Sequence, residues 1–230
     1  MEPIQEDSWL TGEGDRYHER NAGRPSALKD LLHSELHQVL SDFRARPLRV
    51  IDLGCGDGTT LRWLRDAWKP EYLAGVDPSR GAIQKARQSD SALNLWIGTI
   101  DRVPLKRDAY FDLVICHYVL HWVSRMNLVR ALAEIDRCVS VGGLVSIADF
   151  SPDSPHAVPY KHAEGLLTYK ADYPSILLRT GQYTSIRSSI HDHDRQAYSL
   201  SSTSSSRGIH TVMQKRLPPV HPNEPDGSRR

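Results

Sequence analysis

The stretch "VIDLGCGDGTT", residues 50 to 60, constrains this chain more than any other. An apolar run stops at Asp52, three glycines then alternate with Cys55 and Asp57, and a segment rich in leucine and tryptophan begins at Thr59. The run reads as a strand buried on both faces, so it belongs inside a sheet and not at its margin. Alternating glycines let the backbone and a ligand approach closely. The N–H groups that open the following helix face whatever is held there. Strand, glycine turn and helix together make a cradle for a small nucleotide-like molecule.

The unit repeats in kind along the chain. An amphipathic helix is expected from Pro25 to Phe43, then the strand "LRVIDLG" and a helix over Thr59 to Trp68. The strand "EYLAGVD" leads to a helix capped by Ser79, and "LNLWIG" and "FDLVICH" follow as strands. A helix from Asn127 to Val139 is ended by Gly142 and Gly143 before the strand "LVSIADF". Strands alternating with helices imply parallel pairing, because parallel neighbours need long crossovers. Beyond Phe150, Pro152, Pro155 and Pro159 forbid a long regular element, and a short helix is expected through "YPSILLRTG". "YTSIRSSIH" and "IHTVMQKRL" alternate apolar with polar residues and read as a closing antiparallel pair, joined by a polar, mobile link "SLSSTSSSRG". The domain reading is a flexible lid over residues 1–24, a catalytic domain over 25–217 and a disordered tail over 218–230.

Composition narrows the partner. With 29 Lys and Arg against 28 Asp and Glu, the chain has no broad attraction for nucleic acid or an anionic membrane surface. No apolar run approaches the roughly 20 residues of a membrane span. The acidic, polar start lacks the pattern of a secretion signal, so the reading is cytoplasmic. Neither nucleic acid nor membrane is expected as a partner, and a small-molecule substrate on a monomer or homodimer is. Cys55, Cys116 and Cys138 follow no metal spacing and read as reduced core thiols. "HDHDR" at 191 to 195 looks metal-like, but it offers two histidines on one strand face with no third ligand near in sequence. It reads as a solvated strand end, with no metal.

The ligand follows from charge. A dinucleotide fingerprint wants Gly or Ala where this chain has Thr59. A pyrophosphate would also lie within ångströms of Asp52 and Asp57, where like charges repel. A cationic ligand would be welcomed. Here "VIDLGCGDG" resembles the first motif of class I S-adenosylmethionine-dependent methyltransferases, whose cofactor is net cationic and contains no phosphate. The resemblance spans about residues 48 to 150. It implies an α/β, Rossmann-like, seven-stranded and mostly parallel sheet with an antiparallel last strand, helices on both faces and a small N-terminal lid.

The resemblance also implies site residues. Asp52, Gly54 and Gly56 would form the cofactor loop, and Asp77, ending "LAGVD", would take both ribose hydroxyls. In "IGTIDRVPL", Thr99 stands where the family usually has aspartate near the adenine amine. Ile100 would stack on adenine, and Asp101 would supply the missing acid. "WLTGEGDRYHERN" is similar to the N-terminal segment of small bacterial methyltransferases of sugar and natural-product pathways. Tyr17 there would close on the sulfonium and Arg20 would meet the cofactor carboxylate, or the segment would merely anchor to the core. His117, directly after the fourth strand, is read as a base or substrate contact or as part of the cofactor wall. His121 is read as packing or hydrogen-bonding beneath the rim. "HAEGLLTYKADYPSI" provides Tyr169, Lys170, Asp172 and Tyr173 where the family commonly builds part of the acceptor wall, and Tyr169 and Tyr173 would orient the acceptor or pack the cap. "ICHY" lacks the N-P-P-Y type used on exocyclic base amines, which disfavours DNA adenine methylation. The leading expectation is methyl transfer to a sugar or natural-product intermediate. One alternative is cyclisation of S-adenosylmethionine to azetidine-2-carboxylate and methylthioadenosine, as in the azetidine-2-carboxylate synthases. The other is a non-catalytic S-adenosylmethionine-binding module.

Overall fold

The computed structural model of the protein describes residues 5–23, 26–43, 46–199 and 203–216. The tail expected at 218–230 lies outside them, as do residues 200–202 of the polar link. An N-terminal stretch forms α1 (Gln5–Ser8), a π-helical turn (Trp9–Glu13) and α2 (Gly14–Asn21). The chain continues through α3 (Ala27–Asp42), β1 (Arg49–Leu53), α4 (Thr59–Trp68), β2 (Tyr72–Asp77), α5 (Arg80–Ser89), β3 (Asn94–Ile97) and β4 (Phe111–His117). After a 3₁₀ turn (Leu120–Trp122) come α6 (Leu128–Cys138), β5 (Val139–Phe150), β6 (His156–Pro159), β7 (Leu167–Lys170) and α7 (Tyr173–Leu178). The last elements are β8 (Tyr183–Asp192), β9 (Ala197–Tyr198) and β10 (Arg207–Lys215).

The main sheet runs β3-β2-β1-β4-β5-β10-β8-β9. Its first five strands are parallel, and β10 is antiparallel to both β5 and β8. The expected seven strands are all present. The eighth, β9, adds only two residues against the end of β8. Strand alternation sends Ile51, Val114 and Cys116 to a layer closed by α6 and α7, and Val50, Leu113 and Ile115 to one closed by α3, α4 and α5. Because β1 pairs with β2 on one side and β4 on the other, the strand order reverses at β1, and a crevice opens beyond the carboxyl ends.

Three expectations change. The helix ends at Cys138, and Gly142 and Gly143 lie within β5: Phe111 faces Val139 while Leu113 faces Leu144, so the intervening residues loop out. Gly142 has φ +81°, and a Cβ on Gly143 would lie 2.9 Å from the Ser140 carbonyl oxygen. The stretch expected to be irregular contains the hairpin β6–β7, with Pro159 tolerated because it ends a short edge strand. In the polar link, Ser206 is buried, its hydroxyl close to Asp192, so a hydroxyl supplies the partner that burial requires.

The segment read as flexible is helical and docked. Its kink falls at Gly12, whose φ of +146° suits glycine alone. Gln5 donates to the Trp122 and Leu167 carbonyls and accepts from Leu167 N–H, and Glu6 accepts from Ser124 N–H at 2.7 Å. Asp15 accepts from Ser79 Oγ at 2.7 Å and Gly81 N–H at 2.9 Å, where the start of α5 favours an anion. Gly14 permits the approach: a Cβ would sit 2.9 Å from Trp9 O and 3.0 Å from Ser79 N. Among the described residues no helix is long and apolar enough to cross a membrane, and all three cysteines are buried and form no disulfide.

Gly14→Ala is expected to loosen this segment and leave the sheet intact, with a loss of about 1–3 kcal/mol if the added carbon is forced in. Trypsin should then cut at Arg16 and Arg20 many times faster while far-ultraviolet circular dichroism stays close to wild type. Unchanged cleavage would mean that the close approach is relieved locally.

Candidate active site

The glycine loop is tied to the neighbouring strand. Gly54 and Cys55 N–H both donate to the Val76 carbonyl, at 2.7 and 3.1 Å. Gly54 has φ +88°, and a Cβ there would lie 2.2 Å from the Val119 side chain, whereas Gly56, at φ +52°, faces open space. Asp77 Oδ2 accepts from Gly56 N–H at 2.8 Å and Oδ1 from Ser79 N–H at 2.9 Å. These bonds aim the carboxylate, and each oxygen keeps a second lone-pair direction for a ligand.

Charge at this edge is uncompensated. Asp57 is matched by Lys85 at 3.1 Å, but Asp52 is buried and has no hydrogen-bond or ion-pair partner among the described residues. Burial pushes the Asp52 carboxyl up to about 7, with Lys29 opposing and Asp77 adding to the shift. Burial also raises Asp77, against the two backbone donors. Beyond β3, Asp101 is buried, with Oδ1 unpartnered and Oδ2 3.6 Å from Arg102 Nε. Thr99 is half-buried at the same edge, and Ile100 is buried in the core cluster that includes Val103 and Leu120. Two unpaired carboxylates and an orphaned acceptor oxygen fit a cationic nucleoside with an amino-bearing base, and they repel phosphate.

Beside this edge, a cavity of about 450 Å³ lies between the N-terminal segment, the β6–β7 hairpin and the ends of β4 and β5. Aromatic rings dominate its walls: Tyr17, Tyr118, Trp122, Phe150 and Tyr160. Trp122 sits 4.7 Å from Tyr160 and 6.1 Å from Tyr17, and is backed by the buried Trp9 at 4.9 Å. Arg20 also lines the cavity. It donates to the fully buried Glu13 and, at 2.5 Å, to the Tyr160 hydroxyl, so its charge is already matched within the protein.

Two histidines on the cavity wall have a carboxylate on Nδ1: His193 pairs with the exposed Asp194 at 3.3 Å, and His121 pairs with a buried acid. His121 Nδ1 is 2.9 Å from Asp149 Oδ1, and its backbone N–H donates to Asp149 Oδ2 at 3.2 Å. Phe150 N–H adds a further bond to Oδ1 at 2.8 Å, and Asp149 is fully buried. A carboxylate on Nδ1 makes that nitrogen the proton carrier, leaving the lone pair on Nε2 at the cavity wall. His121 was expected to pack or hydrogen-bond beneath the rim, and it is buried and bonded to Asp149; what the expectation did not include is its place on the cavity wall. The signal that identifies it is a lone acid in the mostly apolar run "LVSIADF".

The other expected catalytic residues are elsewhere. His117 is 2.8 Å from Ser146 Oγ, which is 2.8 Å from His210 Nε2, and His210 Nδ1 is 2.6 Å from Glu35. This interior chain runs from β4 to α3, and burial holds His117 well below its ordinary value, which makes it a poor base. Tyr173 is fully buried under the sheet and donates to the Tyr169 carbonyl at 2.6 Å. Tyr169 stacks under the Arg125 guanidinium, 4.8 Å from its ring centroid, outside the cavity; strand alternation turns its neighbours Thr168 and Lys170 inward. "HDHDR" is not a solvated end, because His191 is fully buried against the Tyr118 hydroxyl at 2.5 Å, and Asp192 caps the following turn. No group of three or more metal-ligating side chains occurs among the described residues.

Comparison with known proteins agrees with this geometry. Residues 51–147 match a family described as a methyltransferase domain. Over this span the chain carries a methyltransferase domain, and its fold is that of the solved methyltransferases below. It is 27% identical over 134 residues to malonyl-[acyl-carrier protein] O-methyltransferase of Legionella pneumophila, covering 57% of this chain and 46% of that one. The chain spans about half the length of the curated relatives it matches. Among solved structures, 1,6-didemethyltoxoflavin-N1-methyltransferase of Burkholderia thailandensis superposes with a TM-score of 0.62 at 17% identity, covering 81% of this chain and 79% of that one. N-methyltransferase NodS of Bradyrhizobium japonicum, in complex with S-adenosylhomocysteine, gives 0.64 at 15%, covering 93% and 100%.

Asp77→Ala is expected to weaken S-adenosylmethionine binding by roughly 1.5–3 kcal/mol, the range for hydrogen bonds to a charged group, as read by titration calorimetry. Affinity should also depend on pH through Asp52. Above about 7 its carboxylate is free to meet the cation. Below that a proton must be displaced, so affinity should fall by up to about tenfold per pH unit. Proton release measured in buffers of different ionisation enthalpy should vanish as the pH rises well above 7, and in Asp52→Asn at every pH.

Proposed function

We propose that the protein transfers the methyl group of S-adenosylmethionine to a small metabolite, with His121 accepting the acceptor's proton. The observation that carries this reading is the His121–Asp149 pair, buried behind a cavity of small-molecule size next to the cofactor edge. Asp77 would hold the ribose hydroxyls, Asp101 would accept from the adenine amine, and Asp52 would face the positive end of the methionine moiety. Tyr17 would present its ring to the sulfonium. When bound, S-adenosylmethionine supplies an activated methyl group: a lone pair on the acceptor forms the new bond to carbon as the carbon–sulfur bond breaks, its electron pair remaining on sulfur.

The chain's own work is positioning, exclusion of water and removal of one proton. Asp149 holds the imidazole in the tautomer with Nε2 basic and stabilises the cation formed when it is protonated. The docked N-terminal segment and the hairpin close the cavity from two sides. Transfer to a second substrate is favoured over cyclisation because the base faces a cavity large enough for a separate molecule. A natural-product intermediate fits this size, and the inference below refines its chemistry.

Incubating the protein with S-adenosylmethionine should yield S-adenosylhomocysteine only once an acceptor is added. Methylthioadenosine formed without one would replace this reading with cyclisation. His121→Asn, which keeps an Nδ-like donor toward Asp149, should lower kcat about 10²–10⁴-fold with cofactor affinity unchanged. A kcat within a factor of three of wild type would remove His121 from the mechanism.

A further inference from the structure

We infer that the acceptor is a flat, unsaturated ring bearing an anionic group, seated with that group on Lys170 and its nucleophilic atom toward His121. The inference rests on the proposed methyl transfer and specifies its substrate class.

The walls first argue for the ring. Phe150 forms a hub: His121 lies 5.1 Å from its centroid, His193 4.9 Å and Tyr118 5.6 Å. Trp122 continues the surface 4.4 Å from His121. Two hydroxyls on these walls are already used, Tyr118 by His191 and Tyr160 by Arg20, which leaves those of Tyr17 and Thr168 among rings that dominate the lining. A sugar needs many hydrogen-bond partners, and such walls supply ring faces and edges instead, which pair well with an aromatic ligand.

The charge comes from Lys170. Its ammonium lies 4.0 Å from the Phe150 centroid, lines the cavity and has one acceptor, the Ser205 carbonyl at 2.5 Å. An ammonium carries three donors, so two N–H groups have no acceptor among the described residues. Asp149 and Asp194 act on it only through space: Asp149 is held by His121, Asp194 by His193, and neither forms an ion pair with Lys170. Of the other Lys and Arg side chains on the lining, Arg20 is matched by Glu13 and Lys161 lies at the solvent-exposed part of the wall. Lys170 and His121 contact the same Phe150 ring, so one small ring can reach both. A carboxylate and a phosphate meet this requirement alike. Methylation at a ring hydroxyl or ring N–H transfers the methyl carbon to oxygen or nitrogen and the displaced proton to His121 Nε2.

The test reads binding directly, with S-adenosylhomocysteine present, by calorimetry and by quenching of tryptophan fluorescence. The probes are 4-hydroxybenzoate, 4-hydroxyphenyl phosphate, the neutral 4-hydroxybenzamide and methyl glucoside. Either anion is expected to bind at least tenfold more tightly than the amide, and the tighter one identifies the charged group. Lys170→Met should remove that preference and Lys170→Arg should keep most of it, both with wild-type affinity for S-adenosylhomocysteine as the check on folding. Equal binding of the amide, preferential binding of methyl glucoside, or a preference that survives in Lys170→Met would overturn the inference. Selective ring-anion binding with no methyl transfer to any bound probe would instead count against the proposed reaction and leave the character of the cavity standing.

Discussion

Uncompensated negative charge at the reversal of strand order governs the rest of this molecule. Asp77 ends β2, Asp52 lies one residue before the end of the adjacent parallel strand β1, and Asp52 is buried without a partner. Burying a carboxylate in this way is costly unless a ligand or a proton relieves it. Asp77 is relieved in part by two backbone donors, Asp52 by neither. The site is therefore built to be completed by a cation, and the sheet that supports it is strong enough to carry the cost, with two apolar layers closed by five helices.

A second surface is attached to this edge by directional polar contacts beside the buried cluster of Trp9, Tyr160 and Leu166. Gln5, Glu6 and Asp15 join the N-terminal segment to the hairpin, to the turn after β4 and to the start of α5. Buried Glu13 then fastens Arg20 and, through it, Tyr160. Burial works to raise Glu13, but the bonds from Arg20 and Arg16 outweigh it and hold its carboxyl below the ordinary value. A segment held by such directional bonds keeps one orientation, and this sets the positions of Trp9, Tyr17 and Trp122 around the cavity.

The two histidines near the end of β4 show how burial sorts residues of one type. His117 ends the strand and turns into the sheet interior, where hydroxyl and histidine partners and low solvation keep it neutral. His121, four residues on, meets a carboxylate on one nitrogen and the cavity with the other. Spacing along the chain placed both at the carboxyl edge. Their partners come from β5 and β10, more than 20 residues away in sequence, so no local pattern separates their roles.

Local patterns determined the strands, the main helices, the glycine cradle and the acid at the tip of β2, because each depends on periodicity or backbone conformation within a dozen residues. The same patterns pointed to a cationic cofactor, since charge beside a glycine loop is visible without a fold. Only the tertiary structure decided that the glycine-rich start is helical, that the proline-bearing stretch after β5 forms a hairpin, and that Tyr169 and Tyr173 lie outside the cavity while Lys170 lines it. Those outcomes turn on docking across more than 100 residues, as when Gln5 bonds Leu167, and on which face of a two-strand ribbon meets the core. Long-range contacts of that kind select among conformations that the local sequence leaves nearly equal in free energy.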